Sequence, residues 1–468
     1  MSPDNAQQRP DAPSNAETLP VSTRNEKTLA TVSKQKGSRY KDDSMIPKAS
    51  KETSQVQEAV QQATIEPTHQ ATKGAQNRAS VQGKPVNLRT KGILPIQKIK
   101  DLVQAGVIRT PDANPIQEDQ YQPNSLDLRL GETAWRVRCS FLPENETVRE
   151  KMESLVQYSF SIRDGAVLEP NCVYIIPLLE EIRLPDTGTG HISSVERLTA
   201  KANPKSSTGR LDIFTRVITD YSHRFEEIAP GYTGNLYLEV VPKSFPVRVQ
   251  TGQRLNQIRF RHGFQLLSDE ELLRIHAGDP LLFDDEGAPL PIDRVMVQNG
   301  LFLRVNLHGD PGEVVGYKAR KHRDVIDLAK VNHYSVSEFW EPIVADANDH
   351  LILEPEAFYI FASKERCRIP THLAAEMIAY DTGSGELRTH YAGFFDSGFG
   401  GDRSSGGSRA VLEVRSHDVP FLIEDGQTVC SMHFEPNAEI PEIVYGEDMH
   451  SNYQGQALKL GKHFRQEG

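Results

Sequence analysis

Residues 229–239 read Ala229-Pro-Gly-Tyr-Thr-Gly-Asn-Leu-Tyr-Leu-Glu239, a turn that leads into a strand. Pro-Gly and Thr-Gly favour turns, because proline presets one backbone angle and glycine reaches angles that other residues avoid. The apolar side chains that follow fall at every second position, as in a strand with one buried face. They are Leu236, Leu238 and Val240. The carboxylate of Glu239 therefore points to the other face with Tyr237, and we expect that face to line a pocket.

Similar segments recur outward from this strand. Residues 173–177 form another short run of β-branched and aromatic residues, and such runs are separated by Pro, Gly, Asn and Asp. A helix is predicted where Ile96, Ile99, Leu102 and Val103 have helical spacing, with Gly106 in position to end it. The sequence thus predicts a mainly β protein with short helices.

The chain also repeats itself at two fixed spacings. Leu168-Glu169-Pro170 recurs as Leu353-Glu354-Pro355, an offset of 185 residues. Leu238-Glu239-Val240 recurs as Leu412-Glu413-Val414, an offset of 174 residues. Further pairs share each offset, so gene duplication explains the matches better than chance.

Two homologous domains are predicted at residues 87–285 and 286–468, in line with roughly 150 residues per domain. Residues 1–86 are rich in Gln, Ser, Thr, Lys and Ala, and Tyr40 is their only aromatic residue. This segment has too little apolar surface to offset the loss of chain entropy, so we predict a disordered tail.

Composition argues against several classes of protein. The formal charge of −11 disfavours a general nucleic-acid binder but leaves room for a small anionic ligand. No run approaches the ~18 apolar residues of a membrane span, and the opening residues lack the apolar core of a secretory signal. The four cysteines include no C-x-x-C pair, which favours neither a disulfide framework nor a zinc knuckle. We predict a cytoplasmic protein.

Three more segments flank this strand, in order along the first copy. They are Gln122-Pro-Asn-Ser-Leu-Asp-Leu-Arg-Leu-Gly131, Pro204-Lys-Ser-Ser-Thr-Gly-Arg210 and Thr251-Gly-Gln-Arg-Leu-Asn-Gln257. The second suits a triphosphate, because hydroxyl and N–H groups donate to phosphate oxygens and a guanidinium can bind them bidentately. Together the four segments resemble the dCTP deaminase and dUTPase superfamily, with its S-x-D-L-R-L-G, R-S-S-x-x-R, P-G-[WY]-x-G-x(4)-E and G-x-x-[IL] motifs. The resemblance is good over 95–265 and looser over 350–465.

This resemblance implies two tandem dUTPase-like β-barrel or jelly-roll domains of the β-clip type. It implies zinc-independent hydrolysis of dCTP to dUTP and ammonia, supplying dUTP for thymidylate synthesis, with Mg²⁺ bound only through the triphosphate. Relatives form trimers with nucleotide sites between neighbouring domains, so a homo-oligomer is expected and a homotrimer favoured. It also suggests dTTP as an inhibitor to test.

The resemblance assigns roles in the first copy. Glu239 would take a proton from the attacking water and return one to the departing amine, as a carboxylate with a raised pKa can do. Ser206 and Ser207 would line the nucleotide site, and Arg210 would contact phosphate and help to position water. Lys205 stands where relatives often have Arg. Further predicted nucleotide contacts are Tyr232, Tyr453, Gln454 and Gln456, the last three in a C-terminal segment that resembles the lid of relatives.

The second copy is more divergent. Glu413 matches the strand glutamate of the first copy and is a further catalytic candidate. Ser384 and Arg388 keep the four-residue separation of the serine and arginine in the first copy, and Asp396 precedes the turn where the first copy has Ala229. These residues are predicted nucleotide contacts. Whether both copies are catalytic stays open, and their complementary residues also allow composite sites.

Two alternatives stay open, and a third, a zinc deaminase, is disfavoured. A dUTPase or a bifunctional deaminase-diphosphatase depends on an Asp before the motif aromatic to orient water toward the α-phosphate, so Ala229 favours deamination alone. A non-catalytic nucleotide-sensing regulator is disfavoured, because both copies retain the strand glutamate. A zinc deaminase needs H-x-E and P-C-x-x-C; the chain offers only His433-Phe434-Glu435 and lacks the cysteine pair.

Overall fold

The structure is a computed structural model that describes seven ranges of the chain. They are residues 90–185, 198–345, 349–379, 387–389, 393–416, 418–446 and 457–465, with backbone alone at 387–389. The predicted tail at 1–86 and the predicted contacts Ser384, Tyr453, Gln454 and Gln456 lie outside these ranges. No helix within them is long and apolar enough to span a bilayer.

The first half forms three sheets. Their strands are β1 (Gly92–Ile93), β2 (Ile108–Arg109), β3 (Leu126–Arg129), β4 (Thr133–Val137), β5 (Val156–Ser161), β6 (Ala166–Leu168), β7 (Val173–Arg183), β8 (Leu198–Pro204), β9 (Ile213–Ile218), β10 (Glu227–Ile228), β11 (Thr233–Pro242), β12 (Val247–Val249) and β13 (Arg254–His262). In the first sheet the strand order is β1-β13-β8-β10, and β3 also pairs with β13. In the second sheet the order is β5-β4-β7-β11-β9, and β2 also pairs with β7. The third sheet contains β6 and β12. Helices are α1 (Ile96–Gln104), α2 (Val148–Glu153) and α3 (Ser206–Gly209).

The second half repeats this plan. Its strands are β14 (Leu282–Phe283), β15 (Leu301–Arg304), β16 (Val314–Ala319), β17 (Ile326–Asp327), β18 (Trp340–Val344), β19 (His350–Leu353), β20 (Phe358–Cys367), β21 (Leu373–Ala379), β22 (Leu387–Thr389), β23 (Gly393–Phe395), β24 (Ser408–Ser416), β25 (Phe421–Glu424) and β26 (Thr428–Pro436). One sheet has the strand order β15-β26-β21-β23. A second has the order β18-β16-β20-β24-β22, and β14 also pairs with β20. The third contains β19 and β25. Helices are α4 (Asp269–Gly278) and α5 (Val336–Phe339). Strand β17 crosses over and pairs with β12 of the first half.

The duplication is visible in the strand register. Glu239 of β11 pairs with Ile175 of β7, and Glu413 of β24 pairs with Ile360 of β20. A buried ion pair is repeated as well: the guanidinium of Arg129 binds Glu180, and that of Arg304 binds Glu365. The predicted mainly β, tandem fold is confirmed.

Strand β11 follows the predicted alternation, although both of its faces are buried. Leu236, Leu238 and Val240 belong to the main hydrophobic core. Tyr237 packs instead into a small cluster on the other side with Ile175. The predicted helix is confirmed too, since Ile96, Ile99 and Leu102 of α1 are buried, Val103 is partly buried against the same core, and Gly106 follows the C-cap.

The main core extends across both halves. Trp340 and Phe358 of the second half pack in the same cluster as Leu238 of the first. Arg259 of β13 adds polar contacts across the junction, because its guanidinium donates to the carbonyl of Ala375 at 3.0 Å. These contacts hold α3 of the first half beside β24 of the second.

Candidate active site

A cavity of about 550 Å³ lies where the two halves meet. The first half contributes residues of α3 and its flanks to the wall: Lys205, Ser206, Ser207 and Arg210. The second half contributes two carboxylates, Asp396 and Glu413. The site is therefore composite, with the predicted phosphate-binding segment from one half and the strand glutamate from the other.

The Ser-Ser-Thr-Gly-Arg segment is a single helical turn at the end of β8. The carbonyl of Lys205 accepts hydrogen bonds from the N–H groups of Thr208 and Gly209, at 2.8 and 3.1 Å. The hydroxyl of Thr208 donates to the carbonyl of Leu255 at 2.8 Å and ties the turn to β13. This leaves Ser206 exposed and Ser207 buried at the cavity wall.

Glu413 lies directly against this turn. A Cβ atom built on Gly209 would lie 2.5 Å from Oε2 of Glu413, so a larger residue there would displace the carboxylate or the turn. Burial raises the pKa of Glu413 to about 8; Arg210 opposes this shift and Asp212 adds to it. Because its pKa is close to neutral, this carboxylate can both accept and return a proton near physiological pH.

Arg210 is almost fully buried, with 3% of its surface exposed. Its Nη1 donates to the carbonyl of Lys459 at 2.8 Å, which ties the C-terminal segment to the cavity. The next cavity residues along that segment, Lys462 and His463, were not predicted from the sequence. Burial lowers the pKa of His463 to about 4, so its ring is neutral at physiological pH.

One end of the cavity is rich in cations. Lys205 forms an ion pair with Asp127, and Arg254 donates to Asp119 at 2.7 Å. Lys462 also lines the cavity. Its pKa is lowered mainly by burial and, to a smaller extent, by repulsion from Lys205. Three clustered cations suit a triphosphate. Arg254 lies inside a quoted motif, but no local spacing indicates that it faces the site.

The second half contributes aromatic residues to the wall of the cavity. Phe394 and Phe395 line it, and the guanidinium of Arg259 lies 4.0 Å from the ring centre of Phe394. Asp396 accepts a hydrogen bond of 2.9 Å from Arg259. Burial raises the pKa of Asp396, and Arg259 opposes the shift.

Asp396 changes the argument about the diphosphatase alternative. The sequence contrast rested on Ala229, which stands in the first half where a dUTPase would have Asp. Since the cavity takes this position from the second half, the relevant residue is Asp396. The absence of an acidic residue at position 229 therefore does not distinguish a deaminase from a bifunctional deaminase-diphosphatase.

Glu239 lies away from the turn that holds Ser206 and Arg210. It lines a second cavity and is fully buried. Its Oε1 accepts two hydrogen bonds from Arg216, at 3.0 and 2.6 Å, in an ion pair. The structure thus brings Glu413, and not Glu239, to the predicted phosphate-binding segment.

Two further predicted contacts, Arg388 and Tyr232, occupy other positions in the fold. Arg388 pairs with Arg415 in the strand register, so its position corresponds to Phe214 of β9 and not to Arg210. Tyr232 closes the turn before β11, where its hydroxyl donates to the carbonyl of Asn235 at 2.6 Å.

Comparison with known proteins agrees with this architecture. The family model for the N-terminal domain of 2'-deoxycytidine 5'-triphosphate deaminase matches residues 90–264. The model for the C-terminal domain of the same enzyme matches residues 268–464.

Curated relatives match about a third of the chain. A "dCTP deaminase, dUMP-forming" of Methanoculleus marisnigri is 30% identical over 168 residues, covering 35% of this chain and 76% of the relative. A "dCTP deaminase" of Ignicoccus hospitalis is 24% identical over 176 residues, covering 38% of this chain and 83% of the relative.

A crystal structure of 2'-deoxycytidine 5'-triphosphate deaminase from Agrobacterium tumefaciens matches at 43% identity with a TM-score of 0.67. The match covers 75% of this chain and all of that one. With tandem domain matches and this structural neighbour, the chain belongs to the dCTP deaminase family of hydrolytic deaminases.

Proposed function

We propose that the protein hydrolyses dCTP to dUTP and ammonia at the composite cavity, with Glu413 as the catalytic carboxylate. The observation that carries this proposal is the contact between Glu413 and Gly209. It places a carboxylate with a raised pKa against the segment whose serines and arginine suit a triphosphate.

The chemistry follows from these positions. The triphosphate binds Lys205, Ser206, Ser207 and Arg210, and the cytosine ring packs against the wall near Phe394. Glu413 accepts a proton from water as the oxygen attacks C4 of the base. It then returns the proton to the amine, the C4–N bond breaks and ammonia leaves. One carboxylate performs both transfers because its pKa lies near the working pH.

The proposal includes no zinc, and Mg²⁺ arrives on the triphosphate. Within the described ranges, no three His, Cys, Asp or Glu side chains are grouped as a metal site requires. The cations Lys205, Arg254 and Lys462 suit the phosphate oxygens, and Mg²⁺ needs few protein ligands when it binds through phosphates.

A second candidate product is dUMP. Asp396 lines the cavity, and a carboxylate there could direct a second water to the α-phosphate. Several relatives carry the name "dCTP deaminase, dUMP-forming". We favour dUTP, because Arg259 binds the Oδ1 atom of Asp396 and restrains that carboxylate.

The test combines two matched variants with product analysis. Glu413→Gln keeps the shape of the side chain but cannot accept the proton, so we expect turnover to fall by ~10²-fold or more with dCTP binding retained. Glu239→Gln is the control at the equivalent strand position and should keep its activity. Chromatography of ammonia, dUTP, dUMP and pyrophosphate from dCTP and Mg²⁺ measures rate and product together.

The outcomes separate the candidates. Loss of activity in Glu239→Gln with normal activity in Glu413→Gln would move the chemistry to the second cavity. Stoichiometric dUMP and pyrophosphate from the wild type would establish the diphosphatase step, and Asp396→Asn should then release dUTP. If dCTP binds but no product forms, the protein would be a non-catalytic nucleotide sensor.

A further inference from the structure

A second cavity, of about 600 Å³, also lies between the two halves. It contains Glu239 but none of the residues of α3. Its volume is typical of sites for nucleotide-sized ligands. The chemistry proposed above leaves this cavity without a role.

The charge of this cavity is opposite to that of the whole protein. Among its described lining residues, five are Arg or Lys and two are Glu, whereas the chain has a net charge of −11. A pocket lined by one sign of charge concentrates ligands of the other sign.

Three of these cations form no close ion pair in the described part of the chain. Lys243, Arg320 and Lys321 form no ion pair there, while Arg216 binds Glu239 and Arg415 binds Asp212. Arg320 donates its Nε to the carbonyl of Trp340 at 3.0 Å, which anchors the guanidinium and leaves its terminal nitrogens for a ligand.

A fourth donor is buried in the same wall. Arg415 has 8% of its surface exposed, and its Nε has no hydrogen-bond partner among the described residues. A buried donor without an acceptor is costly, and a ligand oxygen would satisfy it. Phe214 and Phe358 add apolar surface beside these donors.

We propose that this cavity binds a phosphate-bearing ligand of nucleotide size, separately from the catalytic cavity. The three cations without a close ion pair bind the phosphate oxygens, since charge-assisted contacts to phosphate are strong. Glu239 serves this site as the fixed partner of Arg216, and no bond is made or broken in the ligand.

The test measures binding in a background with a weakened catalytic site. Arg210→Ala removes the buried arginine of the first cavity and weakens binding there, so the second cavity contributes a larger share of the affinity that remains. Titration calorimetry with dTTP and, separately, with tripolyphosphate distinguishes recognition of a nucleotide from recognition of phosphate alone. We expect one ligand per chain to remain bound in this background.

The deciding variant adds Lys243→Gln, Arg320→Gln and Lys321→Gln to Arg210→Ala. We expect at least about a tenfold loss of affinity for both ligands, because three charge-assisted contacts disappear. The matched control neutralises three exposed cations outside both cavities, Arg274, Arg294 and Lys330, and should bind as the background does.

Unchanged affinity in the deciding variant would overturn the proposal, as would the absence of any binding in the Arg210→Ala background. Binding of dTTP alone would place a base against Phe214 and Phe358, while equal binding of tripolyphosphate would show that phosphate suffices. In an otherwise wild-type chain, the triple change should leave kcat/KM for dCTP within about twofold, since its residues line only the second cavity.

Discussion

Glu239 and Glu413 occupy equivalent strand positions but have different surroundings. Glu239 is held by Arg216 and fully buried. Glu413 faces the cavity, where burial raises its pKa to about 8. A strongly shifted titratable group in a cleft is a sign of a functional site. The repeat identifies both glutamates, but their environments depend on which half packs against each one.

The raised pKa of Glu413 predicts how the rate depends on pH. The carboxylate must be ionised to accept the proton of water, so kcat/KM for dCTP should rise with pH and level off near pH 8. The Glu413→Gln variant should lose this rise in any residual activity. A profile that is flat between about pH 6 and pH 9 would contradict the assignment.

The same shift predicts an effect on stability. The folded pKa lies above the ordinary value of 4.5, so the folded protein holds a proton that the unfolded chain releases. The contribution of Glu413 to the free energy of unfolding therefore decreases as pH rises from 4.5 through about 8. We expect Glu413→Gln to raise Tm relative to the wild type at about pH 9 and to do so much less at about pH 5. Calorimetry at both pH values measures the difference, and an equal effect at both would refute the shift.

At the level of elements, the proposed chemistry depends on the contact between α3 and β24. The turn of α3 is fixed by hydrogen bonds to the carbonyl of Lys205 and by Thr208 to β13. Strand β24 brings Glu413 against the one position of that turn that lacks a side chain. The contact depends on Gly209 for space and not for an unusual backbone angle.

Gly209→Ala should therefore damage the site. The added methyl carbon would lie 2.5 Å from Oε2 of Glu413, so the carboxylate or the turn must move. We expect turnover to fall by about tenfold or more, since small misplacements of catalytic groups are costly. Gly278→Ala is the control, because a Cβ there meets no atom within 4 Å. Equal activity of the two variants would show that the contact is not required.

Local sequence patterns predicted individual helices and strands better than they predicted how the elements of the two halves align and pack. The alternation over residues 236–240 and the spacing in α1 are periodic signals, and both are confirmed. The match of Arg388 to Arg210 relied on a short spacing, and the register places Arg388 opposite Arg415 instead. The constant offset of 174 residues already pointed to the correct alignment. No local pattern shows that α3 meets β24, because that contact arises from packing between the halves.

At the scale of the molecule, the two halves supply complementary parts of one site. The first contributes Lys205, Ser206 and Arg210, and the second contributes Asp396 and Glu413. Duplication therefore lets each half lose what the other keeps. The homotrimer stays a prediction that light scattering can test.

Mixing two inactive variants tests whether the site forms within one chain. Chains with Arg210→Ala keep Glu413, and chains with Glu413→Gln keep Arg210. If both residues act from the same chain, co-refolded mixtures should show no more activity than the sum of the two variants. Recovery toward a quarter or more of wild-type activity would mean that sites form between chains.

The central claim is that dCTP binds between the halves with its base beside Glu413. A crystal structure of the Glu413→Gln variant with dCTP tests it most directly, because the variant should bind the substrate without consuming it. We expect the triphosphate against Lys205, Ser206 and Arg210, with C4 of cytosine next to residue 413. A structure with C4 next to Glu239 would contradict it.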